Sequence, residues 1–370
     1  MGASRNFMKW CLINVCILLA LLLSINLFSA IVRDGISIYK GWVPSINKKA
    51  NRLSLENKEL AQTVYLEKKK LRTQYVPYLG WSRLPFKGKT TNVNEEGDRV
   101  TPITTKDPIG HVRFFGGSTM WGSGVNDQNT IPAHFSTLHP HYQVHNHGEA
   151  GFLSRQEIAR LVNLVNQNKP MDIVVFYDGC NDVYHMCRAD LSINGHREES
   201  KIRNKLKPHS YVLESVAGSL QDSIQWIKTK IEHKKPPSRC QANHLYAQSV
   251  AKTIVNNWTI AKNLAELGGA EFHAILQPLA PIGSPNLEYL PDKESIAGLS
   301  SRSKDYVLVY SFIQEIIQRE GVDWIHDFTD AFDREEYIYI DSCHVNALGN
   351  KIIAEKVHKI IGPQLIPPNS

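Results

Sequence analysis

The chain contains three residues whose side chains could together attack an ester. Ser118 follows two glycines after the apolar run "VRFF", and His344 comes three residues after Asp341. A serine hydroxyl is a weak nucleophile unless a nearby base takes its proton, and an imidazole is the usual base for this task. A carboxylate that accepts the other imidazole N–H fixes the tautomer and stabilises the imidazolium. The three residues are therefore candidates for nucleophile, base and orienting acid.

Two further residues could supply hydrogen bonds to the oxyanion of such a reaction. Gly151 lies in "NHGEAGFLS" and Asn181 in "YDGCND". The backbone N–H groups of Ser118 and Gly151 and the side-chain amide of Asn181 would give three donors. One such donor typically contributes about 2.7–4 kcal/mol to transition-state stabilisation. Glycine at 151 would let the backbone approach a substrate closely.

Each of these residues also has a purely structural interpretation. Ser118, Asp341 and Asn181 are of types common in turns, and His344 could cap a helix. Other histidines and cysteines near the same rim are interpreted more readily as structural than as catalytic, namely His145, His147, His185, Cys180 and Cys343. Trp121, Tyr177 and Tyr184 could equally line a sugar or acyl pocket or pack in the core. Asp182 is expected to stabilise its loop. The catalytic interpretation therefore depends on the predicted elements bringing the five candidates together.

Those elements are predicted from an alternation of short apolar runs and helical patterns. The apolar runs lie at 112–115, 142–146, 172–177, 272–276 and 323–328. A capping-box match, "SRQE" at 154–157, precedes one of the helical patterns. Alternating strands and helices predict a parallel sheet covered on both faces, with ligands at the carboxyl ends of the strands. Each candidate residue follows one of the runs and should lie on that rim.

The blocks "GGS", "NHGEAG", "GCND" and "DSCH", in this order, resemble the SGNH/GDSL hydrolase family over about residues 108–362. The resemblance implies a flavodoxin-like three-layer α/β/α sandwich with a five-stranded parallel sheet. It assigns the nucleophile to Ser118, the oxyanion hole to Ser118, Gly151 and Asn181, and the acid and base to Asp341 and His344. It implies no metal and no other cofactor. The usual "GDS" reads "GGS" here, with Gly117 where aspartate is common, and that aspartate is not the catalytic acid.

The forms "GGST", "YDGCNDV" and "NVNEEGDRVT" look like a bacterial subset linked to envelope polysaccharides. The expected activity is that of a serine esterase that removes acetyl or another small acyl group from an envelope or extracellular polysaccharide. An acylated carbohydrate or a small ester is the expected substrate. An O-acyltransferase with the same site is the first alternative, since only the acceptor differs. A membrane-tethered, non-catalytic binding protein is the second.

The N-terminus predicts a membrane anchor. Residues 11–32 contain 22 uncharged residues, and about 20 suffice to span a bilayer as a helix. Bulky residues at the −3 position of the plausible cleavage sites favour an uncleaved anchor over a signal peptide. The short N-terminal tail favours a cytoplasmic N-terminus, although the basic residues after the segment oppose the positive-inside rule. The catalytic domain would then lie outside the cytoplasm, on the periplasmic or extracellular side.

The predicted organisation is an anchor (1–35), a helical stalk (36–75), an irregular lead-in segment packed on the domain (76–107), and an SGNH-like domain (108–365) with an insertion at about 186–241. The net charge of +6 is mild, and the sequence contains no nucleic-acid-binding motif. Six cysteines do not make a disulfide scaffold, but Cys187 and Cys240 flank the insertion and could bridge it. No pattern indicates an oligomeric state.

Overall fold

The computed structural model describes residues 2–42, 58–206, 238–290 and 301–365. By their contacts the residues divide into two compact units, one of 1–48 with 199–236 and one of 49–198 with 237–370. The first unit contains helices α1 (Gly2–Trp42) and α7 (Glu199–Lys205). The second contains the sheet and all of the candidate site residues. The parts of the predicted stalk at 43–57 and of the predicted insertion at 207–237 lie outside the described residues.

The centre of the second unit is a sheet of five parallel strands. The strands are β5 (Gly110–Gly116), β6 (Tyr142–Asn146), β7 (Ile173–Asp178), β8 (Glu271–Leu276) and β9 (Ile325–Asp327). Their order across the sheet is β6-β5-β7-β8-β9. All five predicted strands are therefore present, and their order along the sheet is the flavodoxin-like one. The predicted fold class is confirmed.

Helices cover both faces of this sheet. In chain order, the helices of the second unit are α2 (Lys58–Lys70), α3 (Ser118–Trp121), α4 (Ile131–Leu138), α5 (Ser154–Asn166), α6 (Cys180–Met186), α8 (Arg239–Ala242), α9 (His244–Leu267), α10 (Ser301–Glu320) and α11 (Ala347–Ile361). Short 3₁₀ turns follow at Asp127–Asn129 and Gly362–Gln364. Helices α4 and α11 pack on one face, and α5, α9 and α10 pack on the other.

The central strand β7 shows why the sheet is buried on both sides. Its six residues, "IVVFYD", are all buried. Ile173, Val175 and Tyr177 belong to the core beneath α4 and α11, whereas Val174 and Phe176 belong to the core beneath α5, α9 and α10. Side chains alternate between the faces of a strand, so a strand buried on both faces has a continuous apolar run instead of an alternating one.

The lead-in segment closes one edge of the sheet. It contains the two-residue strands β2 (Ser82–Arg83), β3 (Phe86–Lys87) and β4 (Asn92–Val93), and β1 (Thr73–Gln74), at the end of the predicted stalk, pairs with β2. Strands β3 and β4 form a hairpin, and Arg99 then pairs with Val93 and with Asn146 of the edge strand β6. Helix α2 is tied to the same segment because Glu67 accepts hydrogen bonds from the backbone of Lys89, Thr90 and Thr91.

A disulfide joins Cys187 and Cys240 at the two described ends of the insertion. The two residues are 53 positions apart in the chain. A cross-link that closes a loop of this size commonly stabilises a fold by about 2–4 kcal/mol. The ends of the insertion are therefore fixed to the domain beside helix α6.

Helix α1 has the length and composition of a membrane-spanning helix. Its segment Asn6–Ile25 has a mean hydropathy of 2.2, and none of it is buried against other described residues. A signal sequence near an N-terminus has the same properties.

Candidate active site

Ser118, His344 and Asp341 form a continuous chain of hydrogen bonds at the carboxyl end of the sheet. The Oγ of Ser118 lies 2.7 Å from Nε2 of His344. The Nδ1 of His344 lies 2.8 Å from Oδ2 and 3.0 Å from Oδ1 of Asp341. The partners assign the tautomer, since Nδ1 must donate to the carboxylate and Nε2 must accept from the hydroxyl. In this arrangement His344 can remove the proton of Ser118.

The carboxylate of Asp341 is held in its charged form by its own loop. Burial would raise the pKa of Asp341, but the hydrogen bond and charge of His344 and the backbone N–H groups of Cys343 and His344 together hold it well below its usual value. Its side chain is nevertheless 45% exposed. The carboxylate therefore remains ionised, but water shares the task of solvating it.

The nucleophile turn, defined here as residues 116–122, places Ser118 at the start of helix α3 directly after β5. No described residue accepts a hydrogen bond from the backbone N–H of Ser118 or of Gly151, so both remain available to a ligand. Gly117 is the residue that replaces the aspartate common in the family. A Cβ at this position would clash with Nδ2 of Asn181, so any other residue there would require the Asn181 amide to move. The same contact places the Asn181 amide beside the nucleophile.

Gly151 and Asn181 are connected to each other. Gly151 has a φ of +82°, a left-handed conformation that favours glycine. Nδ2 of Asn181 donates a hydrogen bond of 2.8 Å to the carbonyl of Phe152, the residue after Gly151. The amide has a second N–H that this bond does not use. The structure thus brings all five residues predicted for the site to one rim, with three groups of the donor type that an oxyanion needs.

A buried network of polar side chains lies beneath Asn181. The Oδ1 of Asp182 accepts hydrogen bonds from the backbone N–H (3.0 Å) and hydroxyl (2.6 Å) of Ser154. Asn257 of helix α9 donates to the same hydroxyl at 2.9 Å. Ser154 is therefore not the N-terminal cap that the "SRQE" motif predicted. Helix α5 already includes it, and its hydroxyl bonds to Asp182 instead.

Two more buried carboxyl groups adjoin this network. Burial raises the pKa of Asp182 to about 6, although the bonds from Ser154 oppose the rise. Burial and the charges of Asp178 and Asp182 raise the pKa of Glu157 well above its usual value. Asp178 is held by a 2.9 Å hydrogen bond from the indole of Trp258. Three acids in one dry region cannot all ionise easily, and the pKa of Asp178 is likewise raised well above its usual value, by burial and the charge of Asp182.

A single arginine from the lead-in segment holds the other end of the nucleophile turn. Arg99 is 2% exposed. Its guanidinium donates to the carbonyls of Trp121 (2.8 Å), Gly122 (2.7 Å) and Val125 (2.7 Å), and its Nε bonds to Asp127 at 2.9 Å. These carbonyls include those at the end of helix α3, which have no helical partner. Sequence reasoning missed this role. The only signal was the motif "NVNEEGDRVT", which contains Arg99 but does not say what it binds.

The histidines considered as alternatives belong to other networks. His147 lies between Asp98 (2.9 Å) and Arg113 (2.9 Å), and its pKa is lowered, chiefly by burial. His145 contacts His111 at 3.1 Å. With Arg160 of helix α5, these two histidines line a separate cleft of about 370 Å³. Neither histidine is hydrogen-bonded to Ser118.

The aromatic and sulfur candidates have mostly structural surroundings. Trp121 and Tyr177 are 3% and 2% exposed and belong to the core, whereas Tyr184 is only partly buried. Cys180 is a buried free thiol. A group of side chains that could hold a metal ion consists of Asp341, Cys343 and His344. Each offers one ligand atom, and these atoms lie within 4.8 Å of one another. A metal ion bound to them would compete for the Nδ1 atom by which His344 is oriented.

Neither a protein-family model nor a curated protein sequence matches the chain. Several solved structures are similar to it. A lipolytic protein of the G-D-S-L family from Veillonella parvula is 12% identical, with a TM-score of 0.38, over 68% of this chain and 98% of its own. The carbohydrate acetylesterase Est24 from Sinorhizobium meliloti is 13% identical, with a TM-score of 0.39, over 69% and 99%.

An α/β hydrolase enzyme from the metagenome of Lake Arreo, Spain, is 16% identical, with a TM-score of 0.36, over 70% of this chain and 98% of its own. Of these three proteins, the one from Veillonella parvula is described as a member of the G-D-S-L family, which the sequence motifs resemble. The fold of the chain is established by its own sheet order, and its chemistry is inferred from its own site.

Proposed function

We propose that the chain is a serine esterase that removes acetyl or another small acyl group from a polysaccharide of the cell envelope or its surroundings. The observation that carries the proposal is the hydrogen-bonded chain from Ser118 through His344 to Asp341, next to the donors at Gly151 and Asn181. Ester hydrolysis needs a nucleophile, a base and oxyanion donors together, and the proximity of these five residues supports the proposal.

In the proposed mechanism, Ser118 Oγ attacks the acyl carbonyl carbon while its proton passes to Nε2 of His344. The negative charge that forms on the carbonyl oxygen is stabilised by the N–H groups of Ser118, Gly151 and Asn181. The intermediate collapses when His344 returns the proton to the oxygen of the departing sugar. In the second step, a water molecule attacks the carbonyl carbon of acyl-Ser118 while Nε2 of His344 takes a proton from the water. His344 then gives this proton to Oγ of Ser118 as the C–O bond breaks, which releases the carboxylic acid and free serine.

The proposal is tested by the turnover of p-nitrophenyl acetate and of acetylated glycans by the wild-type protein and by Ser118→Ala. We expect turnover to fall by at least about 10³-fold, to the level that binding and the oxyanion donors alone sustain. The melting temperature should change little because the substitution removes one hydroxyl at a turn. Turnover within a few-fold of wild type would exclude Ser118 as the nucleophile.

The same assay addresses the acceptor and the non-catalytic alternative. Acylated sugar formed when an acceptor sugar is added would indicate that a hydroxyl replaces water at the second step, as in an O-acyltransferase. Binding of glycan without any turnover of an ester would favour the tethered binding protein.

We infer that the esterase is anchored in a membrane by helix α1, with the active site outside the cytoplasm. Support comes from the exposed apolar segment Asn6–Ile25 and from the Cys187–Cys240 disulfide, since disulfides persist mainly in oxidising compartments. Membrane fractionation with protease treatment of spheroplasts is the test. Digestion of the catalytic domain in intact spheroplasts is expected. A protected domain would reverse the orientation, and a soluble form that begins near residue 30 would indicate cleavage.

A further inference from the structure

Two arginines lie beside the proposed oxyanion hole and take no part in the triad. Arg197 covers Gly151, since a Cβ added to that glycine would lie 3.3 Å from Nη1 and 3.6 Å from Cδ of the arginine. Its guanidinium carbon stands 4.1 Å from the centroid of the Trp81 ring. Trp81 in turn packs edge-on against Phe152, the residue after Gly151. An aromatic platform thus holds this cation next to the turn that would bind the oxyanion.

Arg302 approaches the same region from helix α10. Its guanidinium carbon lies 4.0 Å from the centroid of the Tyr184 ring. Tyr184 and His185 come three and four residues after Asn181 on helix α6, so they occupy the same helix face about one turn, or 5.4 Å, further on. The exposed guanidinium of Arg302 forms no ion pair with a carboxylate of the described residues. Among the described residues, this cation therefore has no anionic partner.

The charge of Arg197 is only weakly compensated. Its Nε lies 3.4 Å from Glu198, and both side chains are more than a third exposed, so solvent screens most of this attraction. The pKa of the nearby His185 is affected by the surrounding positive charges. Burial and the positive charges of Arg188, Arg197, His196 and Arg302 lower its pKa to about 4. Three arginine side chains therefore lie near His185, four residues after Asn181 on helix α6.

We propose that Arg197 and Arg302 recognise a carboxylate of an acidic glycan, so that the preferred substrate is an acylated polymer of uronic acids. A planar guanidinium matches a carboxylate with two parallel hydrogen bonds, and the stacking on Trp81 and Tyr184 holds both groups ready to bind. Because Arg197 overlies Gly151, a carboxylate bound there would lie next to the scissile acyl group. This inference deepens the proposed esterase function and rests on it.

The test compares acetate release from an acetylated polyuronate, from the same polymer after methyl esterification of its carboxyl groups, and from p-nitrophenyl acetate. Wild-type protein should prefer the charged polymer, and added salt should reduce that preference because it screens exposed charges. In Arg197→Gln and Arg302→Gln we expect KM for the charged polymer to rise at least about tenfold, the scale of one hydrogen bond to a charged group. Turnover of the two uncharged substrates should stay within about twofold.

Arg188→Gln is the matched control. Arg188 also acts on His185, but its guanidinium is already paired with Asp190 at 2.6 Å and 2.9 Å. This variant should leave KM for the charged polymer unchanged. Arg197→Lys, which keeps the charge and loses the planar fork, should recover part of the affinity.

Three results would overturn the inference while leaving the esterase intact. One is equal turnover of the charged and methylated polymers by wild-type protein. The second is an equal loss on all three substrates in Arg197→Gln, which would assign this arginine to the oxyanion itself. The third is unchanged kinetics in Arg197→Gln and Arg302→Gln. If wild-type protein released acetate from none of the substrates, the proposed function itself would fail instead.

Discussion

The two sides of the candidate site are held in different ways. Asp341 and His344 lie in one short loop and orient each other through hydrogen bonds near the surface. Asn181, on the oxyanion side, stands above buried carboxyl groups whose partners come from helices α5 and α9. The triad side is thus local in sequence and open to water, whereas the oxyanion side is assembled from distant segments in a dry core.

This difference predicts different responses to mutation. A local, partly hydrated pair can be weakened without disturbing the fold, because water can replace a lost hydrogen bond. A buried network transmits a change to stability and to its dependence on pH, because no water replaces the missing partner. The four predictions that follow test this contrast.

The largest expected effect is that of Asp341→Asn on turnover. The amide cannot stabilise the imidazolium of His344 and favours the wrong tautomer, a change that costs about 10⁴-fold where the aspartate is buried. Because the Asp341 side chain is 45% exposed, we expect a smaller loss, of about 10²–10³-fold in kcat, with KM nearly unchanged. Steady-state kinetics with p-nitrophenyl acetate measure it.

Asp330→Asn is the control for this prediction, since Asp330 is an exposed aspartate whose carboxylate pairs with Lys356 and lies outside the candidate site. If Asp341→Asn kept wild-type kcat while His344→Ala was inactive, the site would be a serine–histidine dyad. The loop carboxylate would then have no part in the chemistry.

Asn181→Ala should cause the next largest loss. It removes a proposed oxyanion donor and also frees the carbonyl of Phe152, which the amide binds at 2.8 Å. We expect kcat to fall about 10²-fold with little change in KM, since an oxyanion donor acts on the transition state more than on the bound substrate. An increase in KM alone would instead place Asn181 in ground-state binding.

Arg99→Met tests whether the lead-in segment belongs to the catalytic unit. The substitution removes the arginine donor from three buried carbonyls and from the carboxylate of Asp127, although Asp127 keeps its hydrogen bonds from Asn92 and the Gly122 carbonyl keeps the one from Val125 N–H. We expect a loss of about 3–5 kcal/mol in unfolding free energy, as for other broken buried ion pairs. Displacement of the turn that bears Ser118 should also lower kcat by about 10–100-fold in the folded fraction.

The control for Arg99→Met is Arg319→Met, because Arg319 is an exposed arginine whose guanidinium lies 3.7 Å from the carboxylate of Glu320. Urea unfolding and active-site titration separate the two effects. Normal kcat in the folded fraction would mean that the lead-in segment stabilises the domain without positioning the nucleophile.

Most of the fold could be predicted because its signal is local. Each of the five strands is a short apolar run, and the run at 172–177 became β7 (Ile173–Asp178) with a shift of one residue. The site residues were identifiable because parallel strands bring their carboxyl ends to one rim. Motifs that follow successive strands therefore converge without any knowledge of side-chain packing.

The supporting contacts could not be predicted, because they join residues far apart in the chain. Asn257 meets Ser154 across 103 positions, and Arg99 meets the turn at Trp121 and Gly122 from 22 and 23 positions away. A motif lists the residue that bonds but not its partner. For the same reason the "SRQE" pattern was assigned wrongly: Ser154 could cap a helix or bind a buried acid, and only tertiary packing decides between them.

The smallest expected effect, and the most specific to the oxyanion side, is that of Glu157→Gln on stability as a function of pH. The pKa of Glu157 is raised in the folded protein, so above the ordinary pKa the unfolded chain releases a proton that the folded chain retains. Its contribution to stability is therefore full at low pH and is lost as pH rises, by up to about 1.4 kcal/mol per pH unit. Glutamine does not titrate, so the stability of the variant relative to wild type should grow steadily between pH 5 and pH 8, while kcat changes less than about threefold. Any cost of burying the amide is the same at every pH, which makes the slope the diagnostic quantity. Thermal melts across this pH range measure the slope, with Glu355→Gln, a substitution of an exposed glutamate, as the control. Parallel curves for Glu157→Gln and wild type would show that Glu157 is ionised in the folded protein and that the oxyanion side is as hydrated as the triad side.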